Sequence, residues 1–492
     1  MLVDALLATA ARFGPAPAVA DHTRRLTYRR LTAAAAALRD LIRAETDCPR
    51  VGILLPACAA FPPVLFGVLW AGRTAVPLNF LLSPRELAEV VADAGIDTIL
   101  SVHHFDQLLA QLPARAVALE DLPLRRRTLL RLLRRQPPAP RVSLDDTAAL
   151  LYTSGTSGDP KGVELTHRNL HSNCQACIRA ARIRHNHVVL NVLPPFHAFG
   201  LTANVLVPAV LGAGVYALPR FQPAATFRTI RRERVSVVMA LPSMYAALLR
   251  VRDVPPDALA SVYLAISGGE PLPEAVGHGF EERFGVRLHQ GYGLTETSPV
   301  LSLCAPHAWR EGSVGQVLPG IDCRIVDPVG NVLEDAVDGE IQVRGHCVMK
   351  GYYNRPADTA AVIDAHGWLR TGDLGHRDAD GFLYVTGRLT EALIVAGENV
   401  LPQQIEEVLA GHPRVAAAAV IGAPDETRGQ VPVAFVTLAE DAGPQSVSEH
   451  DLRSYVRRHL AGHKVPRRIH ITDQLPTGPT GKILKRKLRE EP

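Results

Sequence analysis

Apolar and polar positions alternate between two periods along the first hundred residues. "LTYRRLTAAAAALRDLIR" (Leu26–Arg43) is rich in helix formers and repeats its apolar residues at helical spacing, so it predicts a helix. "RVGILLP" (Arg50–Pro56), "RTAVPL" (Arg73–Leu78) and "IDTILS" (Ile96–Ser101) are short apolar runs that read as buried strands. Before the third of these, "SPRELAEVVADAG" (Ser83–Gly95) carries helix signals: Ser83 as the cap, Pro84 at the first position and Gly95 at the end. The most apolar stretch, "AAFPPVLFGVLWAG" (Ala59–Gly72), is 14 residues long and holds two prolines. A membrane-spanning helix needs about 20 apolar residues, so this one reads as a core helix. The strand and helix rhythm returns in "RVSVVMALPSMYAALLR" (Arg234–Arg250) and "YLAISGGEPLP" (Tyr263–Pro273). Such alternation predicts an α/β fold of layered, mostly parallel sheets and helices.

The pattern changes toward the C-terminus. Short strand-like pieces, "GEIQVRG" (Gly339–Gly345) and "GFLYVTG" (Gly381–Gly387), precede a boundary between Thr386 and Pro402. Beyond it come helix "QQIEEVLAGH", strands "AAAAVIGA" and "QVPVAFVTL", and helix "EHDLRSYVRRHL". Those residues suffice for a small α+β domain. The expected division is 1–387 for a large N-terminal domain and 388–492 for a small C-terminal one. One further segment breaks the rhythm. "LRRRTLLRLLRRQPPAPR" (Leu124–Arg141) interleaves arginine with leucine and ends in prolines. It reads either as a solvated helix with a Pro-rich connector, or as a basic amphipathic helix making weak contact with an anionic membrane surface.

Charge and cysteine usage narrow the partners. A formal net charge of +4 over 492 residues gives no case for nucleic acid. Seven cysteines scattered along a long chain argue for reduced thiols in the cytoplasm, not for a disulfide framework. Cys174 and Cys177 form a lone C-x-x-C near the start of an expected helix, without a second pair at zinc spacing. The N-terminus has no basic stretch ahead of an apolar run, so no signal peptide is expected.

The chemistry begins at "YTSGTSGDPKG" (Tyr152–Gly162). It is not a Walker A loop, because Asp159 and Pro160 follow Gly158, and Gly162 follows the lysine. The physical logic is related, however. Glycines let backbone N–H groups approach an anion, while Thr153, Ser154, Thr156 and Ser157 offer hydroxyls and Lys161 a charge. Four other stretches follow in order: "GYGLTETSP" (Gly291–Pro299), "GWLRTGDLG" (Gly367–Gly375), "TGRLTEALIVAGENVLPQQIEEVL" (Thr386–Leu409) and "PTGPTGKILKRKL" with Lys482. Together the five resemble the adenylate-forming superfamily of acyl-CoA synthetases, aryl acid ligases, luciferases and peptide-synthetase adenylation domains. The resemblance runs from about residue 26 to residue 488.

That resemblance implies a large N-terminal domain with a β-barrel-like subdomain and a mobile C-terminal lid. It also implies roles for matching positions. Thr153, Ser154, Gly155, Thr156, Ser157, Gly158 and Lys161 would hold the β- and γ-phosphates of ATP. Glu296 would be the Mg²⁺ ligand, and Thr295 would bond the phosphates. Gly291, Tyr292, Gly293, Gly268, Gly269 and Glu270 would line the adenine pocket, Glu270 standing where many relatives have alanine. Asp373 and Arg388 would meet the ribose. Lys482 would bridge the substrate carboxylate and the α-phosphate. The loop at Gly397 would face the thiol tunnel after the lid swings, with Thr390 at a hinge position that is usually Asp or Lys.

The acyl pocket is implied at "PPFHAFGLTANVLVPAVLGAG" (Pro194–Gly214), where His197 would gate the pocket or contact the carboxylate. The stretch holds no acid to pair with an ammonium, and an unpaired buried ammonium is costly, so an amino acid is disfavoured. "PPFHAFGLT", "LIVAGENVLP" and "GYYNRP" look most like bacterial medium- and long-chain fatty acyl-CoA synthetases. The expected enzyme is thus an AMP-forming acid–thiol ligase using ATP, Mg²⁺ and CoA on a fatty or other apolar acid. Alternatives are transfer to an acyl carrier protein, an aryl acid–CoA ligase, and a non-catalytic nucleotide-binding relative. The last is disfavoured by the intact set Lys161, Glu296, Asp373, Arg388 and Lys482. The expected location is cytoplasmic or peripheral to a membrane.

Overall fold

The computed structural model describes residues 1–154, 160–391, 393–395, 398–425, 429–439, 447–477 and 483–488. Gly155, Thr156, Ser157, Gly158, Gly397 and Lys482 lie outside the described residues. Among the described residues the chain forms two large, mostly parallel sheets, a four-stranded antiparallel sheet and a five-stranded C-terminal sheet. It is the mixed α/β arrangement expected, a large N-terminal part with a small C-terminal one.

The nine-stranded sheet has a parallel centre, from Pro17–Ala20 through Gly214–Ala217, Val188–Asn191, Val237–Ala240 and Leu264–Gly268 to Leu288–Gly293. The seven-stranded sheet has a parallel half built from Arg50–Ile53, Thr74–Pro77, Thr98–Ser101 and Arg115–Ala118. Helix Tyr28–Glu45 and helix Phe61–Trp70 share the main apolar core, and every residue of the latter is buried. An all-round apolar helix belongs in an interior. The Tyr28 hydroxyl donates to the carbonyls of Pro208 and Ala213, at 2.8 and 2.7 Å, so the aromatic ring is buried without orphaning its polar end.

Some boundaries differ from expectation for physical reasons. Leu26 and Thr27 belong to strand Arg25–Thr27, which pairs with Pro17–Ala20; the helix begins at Tyr28. Thr27 is its cap, and the hydroxyl accepts from the Arg30 N–H at 3.3 Å. The start at Ser83 holds: Ser83 and Glu86 form a reciprocal capping box ahead of helix Pro84–Asp93. Cys174 and Cys177 lie in the middle of helix His167–Ala181 rather than at its start. Both are buried free thiols, and burial pushes Cys177 up to about 12. Tyr152–Ser154 and Pro160–Gly162, expected as loop, are strand ends. Strands Thr147–Ser154 and Pro160–Thr166 pair antiparallel, with Thr153 opposite Lys161.

The short pieces expected at Gly339–Gly345 and Gly381–Gly387 join the four-stranded sheet, Ile321–Val326, Gly339–Gly345, Leu369–Arg377 and Leu383–Arg388. Past it, strand Gly429–Leu438 pairs with Val415–Asp425, Leu393–Val395 and Arg468–Ile471 in a sheet covered by helices Pro402–Ala410 and Glu449–His459. Two staples cross the N-terminal part: the Trp70 indole donates to the Pro138 carbonyl at 2.8 Å, and Arg131 pairs with Asp40.

His167, His197 and His289 are each pushed down to about 4, chiefly by burial. Their unfolded value is 6.5, so the unfolded chain takes up protons first as pH falls below it. Their contribution to stability is complete above pH 6.5 and is lost toward pH 4. The slope should approach about 1 kcal/mol per pH unit for each histidine. Urea unfolding between pH 7 and pH 5 measures it, and His289→Gln should flatten the profile by one proton. An unchanged slope in that variant would contradict neutral burial.

Candidate active site

The site is organised by the segment that leaves strand Leu288–Gly293 at the edge of the parallel run. Gly291 sits opposite Gly268 on the neighbouring strand. A Cβ on Gly268 would come within 3.2 Å of the Gly291 carbonyl and 3.3 Å of the Phe199 ring, so glycine fits there without pushing either neighbour aside. The following turn, Thr295–Thr297, is pinned from three sides. The Thr297 hydroxyl bonds the Leu294 and Pro299 carbonyls, at 3.0 and 2.7 Å. Thr202 donates to the Ser298 carbonyl at 3.0 Å, and Ser298 donates to the Cys347 carbonyl at 2.7 Å. The Thr202 bond ties this turn to the π-helical stretch Gly200–Leu206.

On one side of the turn stands a polar chain centred on a buried carboxylate. The Tyr292 hydroxyl donates to Asp373 Oδ2 at 2.6 Å, and Arg388 Nε pairs with Asp373 Oδ1 at 2.7 Å. Asp373 and Arg388 are register partners on adjacent antiparallel strands, which fixes their meeting. Asp373 is only 2% exposed. Burial, with the charge of Asp373 beside it, raises the Tyr292 phenol well above its ordinary range, so the hydroxyl stays a donor.

On the other side is a second group. The Tyr352 hydroxyl donates to Glu296 Oε1 at 2.9 Å, while the Glu296 carbonyl accepts from the Met349 N–H at 2.8 Å. Lys161 Nζ lies 5.2 Å from the centre of the Tyr352 ring and pairs with Asp358 at 3.2 Å. The strand Gly351–Tyr352 pairs with the strand that carries Lys161, and so brings the three residues together. Thr295 lies in the same turn as Glu296, half-buried. Thr153 is opposite Lys161, and Ser154 continues that strand. Gly269 takes φ +86° just past its strand, with Glu270 half-buried beside it.

Beneath lies an aromatic floor. The rings of Phe196 and His197 are 4.6 Å apart, and Phe80 meets Phe196 edge-on at 5.0 Å. His197 Nε2 is sealed from solvent and has no partner among the described residues. Burial keeps the ring neutral at pH 7. The orphaned nitrogen can therefore exchange hydrogen bonds with an entering ligand without adding a charge.

Of the residues singled out from the sequence, Tyr292, Asp373 and Arg388 form one contiguous group, and Glu296 and Lys161 meet through a residue the sequence reading did not assign, Tyr352. Asp358 was missed as well. The signal for both was "GYYNRP", read only for its resemblance, with Asp358 just after it. Lys482 and Gly397 fall outside the described residues. The nearby Lys485 is described, and its Nζ pairs with Glu391 at 2.6 Å and Glu406 at 2.9 Å.

A glycine-lined strand end beside a Tyr–Asp–Arg chain with a buried carboxylate at its centre, and a lysine and a glutamate across the turn, defines a nucleotide-binding α/β protein. The family model for AMP-binding enzyme matches residues 6–353, and that for the AMP-binding enzyme C-terminal domain matches residues 404–482. The chain belongs to this family of adenylate-forming enzymes. It is 37% identical to feruloyl-CoA synthase of Amycolatopsis sp, covering 97% of this chain and 96% of that protein. It is 34% identical to a long-chain-fatty-acid–CoA ligase of Yersinia pestis, over 100% of this chain and 94% of that protein. The o-succinylbenzoate CoA synthetase of Bacillus subtilis, solved with its acyl-adenylate intermediate, superposes with a TM-score of 0.86 at 30% identity, covering 99% and 97% of the two chains.

The Lys161–Asp358 pair sets up a competition, since an anion reaching Lys161 must displace a carboxylate. Asp358→Asn should tighten ATP binding by about three-fold, the scale of a half-exposed ion pair. Titration calorimetry with ATP reads this directly, and affinity equal to wild type would show that the pair does not compete.

Proposed function

We propose that this chain is an AMP-forming acid–thiol ligase that activates an apolar carboxylic acid, a medium- or long-chain fatty acid in the first instance, and passes the acyl group to CoA. The observation that carries the reading is the meeting at one turn of Tyr292–Asp373–Arg388 and Glu296–Tyr352–Lys161, with the stretch that follows His197 tied to it through Thr202 and Ser298. CoA as acceptor is supported by the names of relatives at 30% identity or more along nearly the whole chain.

In this reading ATP lies with its adenine against Gly268–Glu270 and Gly291–Gly293. The ribose hydroxyls donate to Asp373, which Arg388 holds in place. Lys161, with Thr153–Gly158, takes the outer phosphates, and Thr295 bonds them. Glu296 suits Mg²⁺, which is typically held by one or two carboxylates plus substrate phosphates rather than by a protein cage. When bound, that ion would neutralise phosphate charge. Tyr352, donating to one Glu296 oxygen, leaves the other free and fixes the carboxylate's orientation.

The acid's carboxylate oxygen attacks the α-phosphorus. The bond to the β-bridging oxygen breaks, and pyrophosphate leaves. Two anions meet in this step, so a cation at the reacting centre stabilises the charge that develops. Lys482 is assigned that role, as a residue of the C-terminal tail. The CoA thiolate then attacks the acyl carbon, the bond to the adenylate oxygen breaks, and AMP departs. His197, neutral and unpartnered, would contact the carboxylate end of the acid. The loop at Gly397 would line the thiol's approach once the C-terminal lid, the part beyond Arg388, has turned.

A second acid class has a specific observation in its favour. The aromatic pair Phe196–His197, with Phe199 against Gly268, offers flat surfaces that suit an aryl acid. Transfer to an acyl carrier protein instead of CoA remains the alternative for the acceptor.

The deciding assay is AMP release from ATP with acids from acetate to long-chain fatty acids, hydroxycinnamates, benzoates and amino acids, each with and without CoA. CoA-dependent release peaking at one fatty chain length is the expected outcome. A peak at hydroxycinnamates would move the substrate to the aryl class. Pyrophosphate exchange without CoA-driven turnover would move the acceptor to a carrier protein. Lys482→Ala should abolish adenylation, by about 100-fold or more, while thiolation of preformed acyl-adenylate persists. Equal loss of both half-reactions would remove Lys482 from the role assigned to it.

A further inference from the structure

We propose that the outer face of helix Leu124–Leu132, with the residues just after it, is a docking surface for an anionic lipid bilayer. The inner side of this helix is fixed to the body of the protein. Arg131 pairs with Asp40, the Arg29 guanidinium donates to the Leu132 carbonyl at 3.4 Å, and Gln136 donates to the Arg131 carbonyl at 2.9 Å. Leu122 and Leu124 pack against the main core. The Trp70 bond to Pro138 holds the proline-rich stretch that follows. The helix is therefore a fixed feature of the surface.

The outer side is apolar and cationic at once. Leu129 is 60% exposed, Leu130 43% and Leu133 79%. Leu129 and Leu133 are four residues apart and share a face. Around them Arg125, Arg126, Arg127, Arg134 and Arg135 are exposed. None of these five has a carboxylate partner among the described residues, whereas the inward Arg131 does. Solvated arginines usually gain nothing from leucines between them, and exposed leucines in a cluster cost solubility. A bilayer with anionic headgroups satisfies both, since guanidinium groups meet phosphates while leucines enter the boundary with the acyl chains. A nucleic acid would match the arginines but leave the leucines in water. No helix among the described residues is long and apolar enough to cross a membrane, so the contact is peripheral.

The inference deepens the apolar-acid reading of the site, because acids of that class partition into bilayers and a docked enzyme would meet them there. The two can fail separately, since vesicle binding is read without substrate.

The test is co-sedimentation of the full chain with phosphatidylcholine vesicles, with and without phosphatidylglycerol. Binding should require the anionic lipid and weaken with salt. Arg125→Gln, Arg126→Gln and Arg127→Gln should each weaken it by about five-fold. Leu129→Ser with Leu133→Ser should also weaken it, without changing the salt dependence. Turnover of a water-soluble short acid should match wild type in all variants, which controls for folding. Absence of binding to anionic vesicles, or equal binding to neutral ones, would overturn the proposal. So would a leucine variant that binds like wild type, particularly if duplex DNA competes, because the surface would then be a polyanion site.

Discussion

The buried carboxylate of Asp373 is the constraint on which this site depends. A charge that is 2% exposed is tolerable only when its partners are held in place. Arg388 supplies the countercharge and Tyr292 a hydrogen bond, and neither arrives by chance. Arg388 is placed by strand register, directly across from Asp373. Tyr292 is placed by strand Leu288–Gly293, where the preceding Gly291 lies directly across from Gly268. One polar chain thus locks the antiparallel sheet to the parallel one at the point where the nucleotide pocket is proposed. The energetic demand of burying Asp373 and the geometric demand of the pocket are met by the same three side chains.

The same turn explains why the second group stands where it does. Thr297, Ser298 and Thr202 use up the carbonyls that a bend leaves unpaired, so the backbone around Glu296 is fixed before any ligand enters. Glu296 is thereby presented to Tyr352, and Tyr352 lies under Lys161. Opposite charges are kept a ring's width apart. That separation leaves both free to meet the phosphates and metal assigned to them, since a direct Lys–Glu pair would have to be broken first. Asp358 holds Lys161 in the meantime from a half-exposed position, where the interaction is weak.

Much of this was legible in the residues. The alternation of apolar runs with helix signals led to the layered α/β fold, because buried parallel strands and capped helices leave local marks such as Ser83–Glu86. The chemistry was legible as five glycine-, hydroxyl- and charge-bearing stretches. Contacts between distant segments were not. Nothing in "GYYNRP" says that its first tyrosine reaches a glutamate 56 residues away, since that follows from the pairing of Gly351–Tyr352 with the strand of Lys161. Thr27 was read as helix because its neighbours are helix formers, although its hydroxyl serves better as a cap. Tyr152–Ser154 and Pro160–Gly162 were read as loop because glycine and serine dominate the stretch, and cross-strand pairing outweighed that local preference.

The charges near the C-terminus limit how a swinging lid could move. Lys485 pairs with both Glu391 and Glu406, and Glu406 also accepts from the Val420 N–H at 2.6 Å. Breaking such a half-buried cluster strands two carboxylates, which is costly. Glu391 is therefore bound to Lys485 of the C-terminal tail, although only Leu389 and Thr390 separate it from Arg388. Arg388 in turn is bound to Asp373 in the four-stranded sheet. A rotation that keeps both ion clusters intact must take place between them, at Leu389 and Thr390. The resemblance implies a hinge at Thr390, which lies in the two-residue gap between the two ion clusters. A hinge at that place would carry no side-chain charge of its own, and the flanking clusters would hold the segments on either side of it.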